Sequence, residues 1–159
     1  MITQSALKDL FDYKDGDLYW KISPSKQIKI GAKAGNTKSN GYLRIGINYK
    51  QYSLHRLIFM MHHGYLPKEV DHIDNNPANN CIENLREANR FQNNQNALKR
   101  KDCLSGVKGV CWKKSHKKWV VQLQVNGKRK TFGYYNDIEY AKFVADAMRY
   151  KYHREFAKS

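Results

Sequence analysis

The residues best suited to chemistry lie in one stretch, 69–96, EVDHIDNNPANNCIENLREANRFQNNQN. It contains Asp71 directly before His72, its one histidine, and nine asparagines. A neutral imidazole, with a pKa near ~6.5, can take a proton from water, and carboxylate and amide oxygens suit Mg²⁺. Phosphodiester hydrolysis needs both, because a base activates water and a cation neutralises the charge that develops on the phosphate and on the leaving 3′ oxygen. Neighbours on an extended segment point to opposite sides, so a turn or twist must bring both side chains to one phosphate.

The elements around this stretch are predicted from hydrophobic spacing and turn residues. Residues 1–54 predict a short helix and then strands separated by glycines, a β-rich lead-in. The segment LHRLIFMMHHG predicts one mostly buried helix that ends at Gly64. Pro77 and the clustered asparagines predict a loop, and a second helix is predicted from about Glu83 into a basic end.

The charge of the chain indicates a polyanionic partner. Its 159 residues carry 29 Lys and Arg against 14 Asp and Glu, a formal net charge of +15. Eleven of the basic residues fall within residues 99–130, which hold a single acid, Asp102. Such a positive field attracts nucleic acid and is not needed by an enzyme of neutral small molecules. The 41% hydrophobic and 13% aromatic content predicts a folded scaffold and not a basic disordered tail.

From about Ser105 the pattern becomes that of a three-stranded sheet followed by a helix. Strands are predicted in VKGVCW, KWVVQLQV and KRKTFGYY, and residues 126–127, Asn-Gly, predict a tight hairpin between the last two. A closing amphipathic helix is predicted after a cap at Asn136 or Asp137. The middle strand alternates between an apolar face, which includes Trp119, and a polar face with Lys118, Gln122 and Gln124.

The cysteines and the hydropathy indicate the compartment. Cys81, Cys103 and Cys111 contain no C-x-x-C spacing, which argues against a disulfide framework or a four-cysteine zinc site and favours reduced thiols. No basic N-terminal segment is followed by an apolar run, and no apolar stretch approaches the ~20 residues that span a bilayer. We therefore predict a cytoplasmic protein without a membrane partner.

Together with two asparagines, the Asp-His pair resembles the catalytic motif of the HNH endonucleases. The ββα-metal finger of that family has a histidine, an asparagine in an N-L pair, and a histidine or asparagine nine residues later, which correspond here to His72, Asn84 and Asn93. The LHRLI segment also occurs in this family. The resemblance implies that His72 is the general base, that Asp71 and Asn93 are metal ligands, and that Asn84 fixes the loop between strand and helix.

The form of the motif and its surroundings carry further expectations. Asn93 at the third position fits the phage and group I intron members, and amide and carboxylate oxygens favour Mg²⁺ or Mn²⁺ over nickel or zinc. Arg56 is predicted to contact a backbone phosphate at the catalytic site, and His55 either to do the same or to pack. The other asparagines of the loop are predicted to make turns: Asn75, Asn76, Asn79 and Asn80.

Residues 105–157 resemble the AP2 domain, known from plant transcription factors and from phage homing endonucleases. The shared features are Gly-Val at 109–110, Lys-Trp at 118–119, aromatic-Gly-aromatic at 132–134 and the alanine-spaced helix. In that family the polar face of the sheet lies in the DNA major groove, where glutamine can bind adenine and lysine can bind guanine. The resemblance and the strand alternation together assign DNA contacts to Lys108, Lys113, Lys118, Gln122, Gln124, Arg129 and Thr131.

These patterns predict an α+β protein. Residues 1–100 are predicted to form a ββα-metal (HNH) nuclease region with a β-rich N-terminal part, and residues 104–159 a three-stranded antiparallel sheet plus helix of AP2-like type. The predicted function is that of a site-specific, metal-dependent homing endonuclease, acting on double-stranded DNA in the cytoplasm of a phage-infected bacterial cell. A monomer would nick, whereas double-strand cleavage would need a homodimer or sequential cuts. A non-catalytic DNA-binding protein with an HNH scaffold and a non-specific HNH nuclease remain as alternatives.

Overall fold

The computed structural model describes residues 2–39, 41–96 and 105–157, apart from the side chain of residue 155. The chain forms two compact units, residues 1–88 and residues 89–159. The predicted domain boundary, between residues 100 and 104, lies outside the described residues, so the proposed pair of domains stays a prediction. The architecture is mixed α+β, with four helices and four small antiparallel sheets among the described residues.

The first unit begins with a helix and two small sheets that build its core. Helix α1 (Gln4–Leu10) leads into a hairpin of β1 (Phe11–Lys14) and β2 (Asp17–Trp20), and a second sheet contains β3 (Asn36–Thr37), β4 (Leu43–Ile47) and β5 (Lys50–Ser53). This is the β-rich lead-in that the sequence predicts. The buried apolar side chains include Leu7, Phe11, Leu18, Trp20, Ile45, Leu54 and Ile58.

The predicted buried helix is helix α2 (Leu54–His63). It ends at Gly64, which has a left-handed φ of 80° and donates its N–H to the carbonyl of Met60. Leu54, Leu57 and Ile58 lie in the core. The helix predicted from the hydrophobic spacing is therefore confirmed. Its buried residues anchor it in the core next to the candidate site.

The segment after the asparagine-rich loop differs from the prediction. A helix was expected from about Glu83, but the chain forms a single 3₁₀ turn (Ile82–Asn84), then strand β7 (Leu85–Ala88), and only afterwards helix α3 (Arg90–Asn96). Strand β7 pairs antiparallel with β6 (Glu69–His72) and buries its two terminal residues, Leu85 and Ala88. Pairing with a neighbouring strand and burial of these side chains thus override the local helical spacing.

The second unit contains the predicted sheet and closing helix. Strands β8 (Val110–Lys113), β9 (Lys118–Val125) and β10 (Lys128–Tyr135) form an antiparallel sheet in the order β10-β9-β8. Helix α4 (Ile138–His153) packs on it, and the side chain of Asp137 accepts a hydrogen bond of 2.7 Å from the N–H of Tyr140. Of the two cap candidates, Asp137 is the one that caps the helix.

The apolar face of this sheet is largely as predicted. Val121 and Leu123 are buried, together with Val110 of β8 and with Ala141 and Ala145 of the helix. Trp112 of β8, by contrast, is not a core residue. Its side chain lies on the same face of the sheet as Val110, but it is 43% exposed and contacts the edge of the Trp119 ring, because β8 is an edge strand.

No helix in the described part of the chain is both long and apolar enough to cross a membrane.

Candidate active site and nucleic-acid interface

The end of strand β6 positions the Asp-His pair. Asp71 and His72 are the last two residues of the strand and are only 5% and 4% exposed. In the register with β7, Asp71 lies opposite Arg86 and His72 opposite Leu85. As expected for consecutive strand residues, the two side chains contact different partners.

The carboxylate of Asp71 is bound by the arginine across the strand pair. Nε of Arg86 donates a hydrogen bond of 3.0 Å to Oδ2 of Asp71, and Nη2 lies 2.9 Å from the same oxygen. Both side chains are nearly buried, with 14% exposed for Arg86 and 6% for Asp71. A buried carboxylate without a partner of opposite charge would be costly, and Arg86 supplies that partner.

The imidazole of His72 is held by Asn80, a residue of the following loop. Nε2 of His72 lies 2.9 Å from Oδ1 of Asn80, while Nδ2 of Asn80 donates a 3.2 Å hydrogen bond to the carbonyl of Ala78. An amide oxygen can only accept, so Nε2 carries the hydrogen and a neutral imidazole has its lone pair on Nδ1. Asn80, only 2% exposed, therefore does more than make a turn, contrary to the prediction for it.

Replacing Asn80 with alanine is expected to lower the cleavage rate about 10- to 100-fold with little effect on DNA affinity. A buried hydrogen bond contributes ~1–3 kcal/mol and about 1.4 kcal/mol corresponds to tenfold in rate. Single-turnover cleavage and a binding titration measure the two effects. Asn76→Ala is the matched control, since the Asn76 side chain is exposed and accepts a local hydrogen bond from the N–H of Ala78. Equal rates for Asn80→Ala and wild type would show that the orientation of His72 does not depend on Asn80.

Asn84 ties the loop after β6 together. Its Oδ1 accepts the N–H of Asp74 at 3.0 Å, and its Nδ2 donates to Oδ1 of Asp74 at 2.9 Å and to the carbonyl of Asn79 at 2.7 Å. The oxygen and both hydrogens of the Asn84 amide thus make hydrogen bonds, and these bonds connect Asn84 to Asp74 and to Asn79 within one loop. These contacts are of the kind that the resemblance implies for Asn84.

Asp74, which the sequence analysis did not single out, is the acceptor at the centre of this loop. Besides Asn84, it accepts from the N–H of Asn76 and from Nδ2 of Asn79, each at 2.7 Å. Burial acts to raise the pKa of Asp74, but these hydrogen bonds and the nearby His72 together lower it. Asn75 has a left-handed φ of 64°, which asparagine tolerates well, so the turn predictions for Asn75, Asn76 and Asn79 are confirmed.

Helix α2 places His55 against the proposed base. The His55 ring centroid is 5.0 Å from that of His72 and 5.4 Å from that of Tyr42. His55 is 7% exposed, and burial, together with His72 and Arg56, lowers its pKa to about 3. The His55 ring is therefore uncharged at neutral pH. Of the two expectations for His55, a phosphate contact or packing, its ring contacts agree with packing.

Arg56 uses its guanidinium within the fold. Nη1 and Nη2 donate hydrogen bonds of 3.0 Å to the carbonyls of Lys68 and Pro67, which tie α2 to the segment that enters β6. Each terminal nitrogen has a second hydrogen, so the predicted phosphate contact stays a prediction.

The donor atoms of the candidate metal site are oxygens. Asp71 offers a buried carboxylate that a cation, Arg86, already accompanies, and Asn93 on α3 is half-buried. Within the described ranges no three His, Cys, Asp or Glu side chains group in a way that could hold a metal. Carboxylate and amide oxygens prefer Mg²⁺ or Mn²⁺ to zinc, and a metal site shared by Asp71 and Asn93, which belong to different units, stays a prediction.

Six of the seven predicted DNA contacts share one face of the second unit's sheet. The register places Gln122 opposite Thr131, and Nε2 of Gln122 donates to the hydroxyl at 3.1 Å. Opposed residues of neighbouring strands lie on the same side of a sheet. The three pairs that form this polar face are Lys113 with Lys118, Gln122 with Thr131, and Gln124 with Arg129.

Lys108 does not belong to this polar face. It precedes strand β8, is half-buried, and its Nζ donates a 2.6 Å hydrogen bond to the carbonyl of Gln95. Burial and the nearby Arg149 lower its pKa to about 8. Its ammonium holds this segment against the end of α3, so Lys108 lies apart from the polar face, and its DNA contact stays a prediction.

Arg129→Ala is expected to weaken DNA binding at low salt and to make the plot of log affinity against log salt concentration less steep by about 0.9. Each basic side chain that neutralises a phosphate releases counterions, with that slope per contact on duplex DNA. Lys151→Ala, on the exposed surface of α4, is the control and should leave the slope unchanged. Fluorescence anisotropy over a salt series measures both; identical slopes for all three proteins would remove Arg129 from the interface.

Two comparisons with known proteins give matches. Residues 52–95 match the model of an HNH endonuclease family, a range that includes helix α2, strands β6 and β7 and most of α3. Protein 3.8 of Escherichia phage T7 is 31% identical over 112 residues, which cover 69% of this chain and 92% of the phage protein. No solved structure matches.

Proposed function

Because the chain belongs to the family of phage T7 protein 3.8 and carries an HNH endonuclease domain at residues 52–95, we propose that it is a site-specific, metal-dependent DNA endonuclease of the homing type. The observation that carries the proposal is the pairing of a buried imidazole with Asn80, inside the matched segment. That hydrogen bond leaves Nδ1 of His72 as the basic nitrogen. In this proposal, the endonuclease acts in the cytoplasm of the infected host cell.

In the proposed reaction, His72 takes a proton from the attacking water at Nδ1, while Asn80 keeps the ring in the required tautomer. Asp71 and Asn93 would hold Mg²⁺ or Mn²⁺, and the bound ion would neutralise charge on the phosphate and on the leaving 3′ oxygen. Asn84 maintains the loop that carries Asn80, and the remaining hydrogens of Arg56 are available to a phosphate oxygen.

The polar face of the second unit supports sequence specificity. Glutamine amides and lysine or arginine cations stand side by side there, which combines groups that hydrogen-bond to base edges with groups that neutralise phosphates. We propose that this face lies in the DNA major groove, as the AP2 resemblance implies. A non-specific HNH nuclease would need the positive charge but not the glutamines.

Digestion of a pool of random-sequence duplexes in Mg²⁺, followed by sequencing of the new ends, tests this function. A site-specific endonuclease yields ends that share a sequence. Ends without a shared sequence would support the non-specific nuclease instead. Tight binding of the pool without new ends in Mg²⁺ or Mn²⁺ would support a non-catalytic protein that retains the HNH scaffold.

The same digestion on a single cleavable duplex, labelled on each strand in turn, distinguishes nicking from double-strand cleavage. A single set of catalytic residues cuts one strand at a time, so the monomer is expected to nick the duplex. Cleavage of both strands with a rate that rises with the square of protein concentration would instead support a homodimer.

A further inference from the structure

Arg86 occupies the carboxylate to which the proposed function assigns a metal ion. Its Nε and Nη2 both lie within 3.0 Å of one oxygen of Asp71. The two residues are directly opposite each other in the pairing of strands β6 and β7. Strand pairing holds the two backbones opposite each other, and the Arg86 side chain, only 14% exposed, is enclosed beside the carboxylate. The carboxylate therefore meets any incoming cation with a positive charge already attached to it.

Two opposing effects follow from this arrangement. Without Arg86, a carboxylate that is 6% exposed would lose its cation, and the metal-free fold would be destabilised. With Arg86, a divalent ion at Asp71 must share the carboxylate and stand near a like charge in a poorly solvated place, which weakens its binding. The arginine thus stabilises the protein without metal and opposes the metal itself.

We propose, on the basis of the proposed nuclease function, that Arg86 is a positioning residue that sets the metal affinity of Asp71. It holds the carboxylate in place before the ion arrives and keeps ion binding weak. The metal then enters a preformed site and exchanges readily, and the fold does not depend on it.

Titration of Mn²⁺ into the DNA-free 159-residue protein, followed by the loss of the free Mn²⁺ paramagnetic resonance signal, tests this directly. Arg86→Met, which keeps the bulk and removes the charge, is expected to bind Mn²⁺ about tenfold more tightly, since nearby unit charges interact by several RT. Arg86→Lys keeps the charge and should stay close to wild type. Arg44→Met, on the exposed surface of β4, is the control and should not change the affinity.

Thermal unfolding supplies a second readout. Arg86→Met is expected to lower the Tm in EDTA and to recover more of it in Mn²⁺ than the wild type gains, because tighter binding stabilises more. If Arg86→Met is too unstable to titrate, Arg86→Gln, which retains hydrogen-bonding capacity, takes its place.

The outcomes separate this inference from the proposed function. Mn²⁺ binding by wild type with unchanged or weaker binding by the neutral variants would overturn the inference and leave the nuclease proposal standing. Absence of Mn²⁺ binding in wild type and in every variant would overturn the metal site, and the inference with it.

Discussion

His72→Ala is expected to reduce the rate of DNA cleavage about 10²- to 10⁴-fold, the usual contribution of a general base, while DNA affinity stays nearly unchanged. The imidazole acts on the proton of the attacking water, so it stabilises the transition state and adds little to binding of the substrate. Its buried position, with Asn80 on Nε2, gives it one defined basic nitrogen. Single-turnover rates and an anisotropy titration on the same duplex measure the two effects.

His62 offers a matched control for this substitution. It is also a histidine of the first unit, but it lies exposed in the last turn of α2, where Nδ1 is 2.9 Å from the carbonyl of Ile58. His62→Ala should cleave at the wild-type rate. If His72→Ala lost affinity and unfolding stability in proportion to its rate, His72 would be a structural residue and not the base.

Asn84→Ala is expected to lower the free energy of unfolding by about 2–3 kcal/mol and to reduce cleavage as well. The substitution deletes three hydrogen bonds, each worth ~0.5–1.5 kcal/mol, and leaves Asp74 without one of its donors. The loop carrying Asn80 then loses its connection to the 3₁₀ turn, so the His72 ring loses its fixed orientation. Urea denaturation and single-turnover cleavage measure the two losses.

Two further variants sharpen this prediction. Asn84→Asp keeps the shape but removes both donors and adds a carboxylate next to Asp74, so it should be no more stable than Asn84→Ala. Asn94→Ala, on an exposed position of α3, should change the stability by less than about 0.5 kcal/mol. Wild-type stability in Asn84→Ala would contradict the role of Asn84 as the tie of this loop.

The elements with a strong period were predictable from the sequence. Helix α2, strands β9 and β10 and helix α4 follow their hydrophobic spacing, and turn or cap signals mark their ends. Strand β7 was not predictable in this way, because four residues carry too little periodicity and its identity depends on pairing with β6. Tertiary pairing decided the outcome there, not local propensity.

In the candidate site, only the residues that stand out by their type and their position in the motif were predictable from the sequence. Asp71, His72 and Asn84 stand out by adjacency and by the motif that they resemble. Asn80 is one of nine asparagines in its stretch, and nothing in the sequence distinguishes the one that binds the histidine. Arg86 would have been found if strand β7 had been recognised, since the register alone places it opposite Asp71.

The most direct test of the central claim, metal-dependent DNA cleavage through His72, uses a supercoiled plasmid that carries a cleaved sequence recovered from the random duplexes. The plasmid is incubated with wild type and with His72→Ala, each in Mg²⁺ and in EDTA. We expect nicked circles from wild type in Mg²⁺, and supercoiled DNA to remain in the other three reactions over the same time. Intact plasmid in all four reactions, from protein that retards the same plasmid on a gel, or equal nicking by His72→Ala, would contradict it.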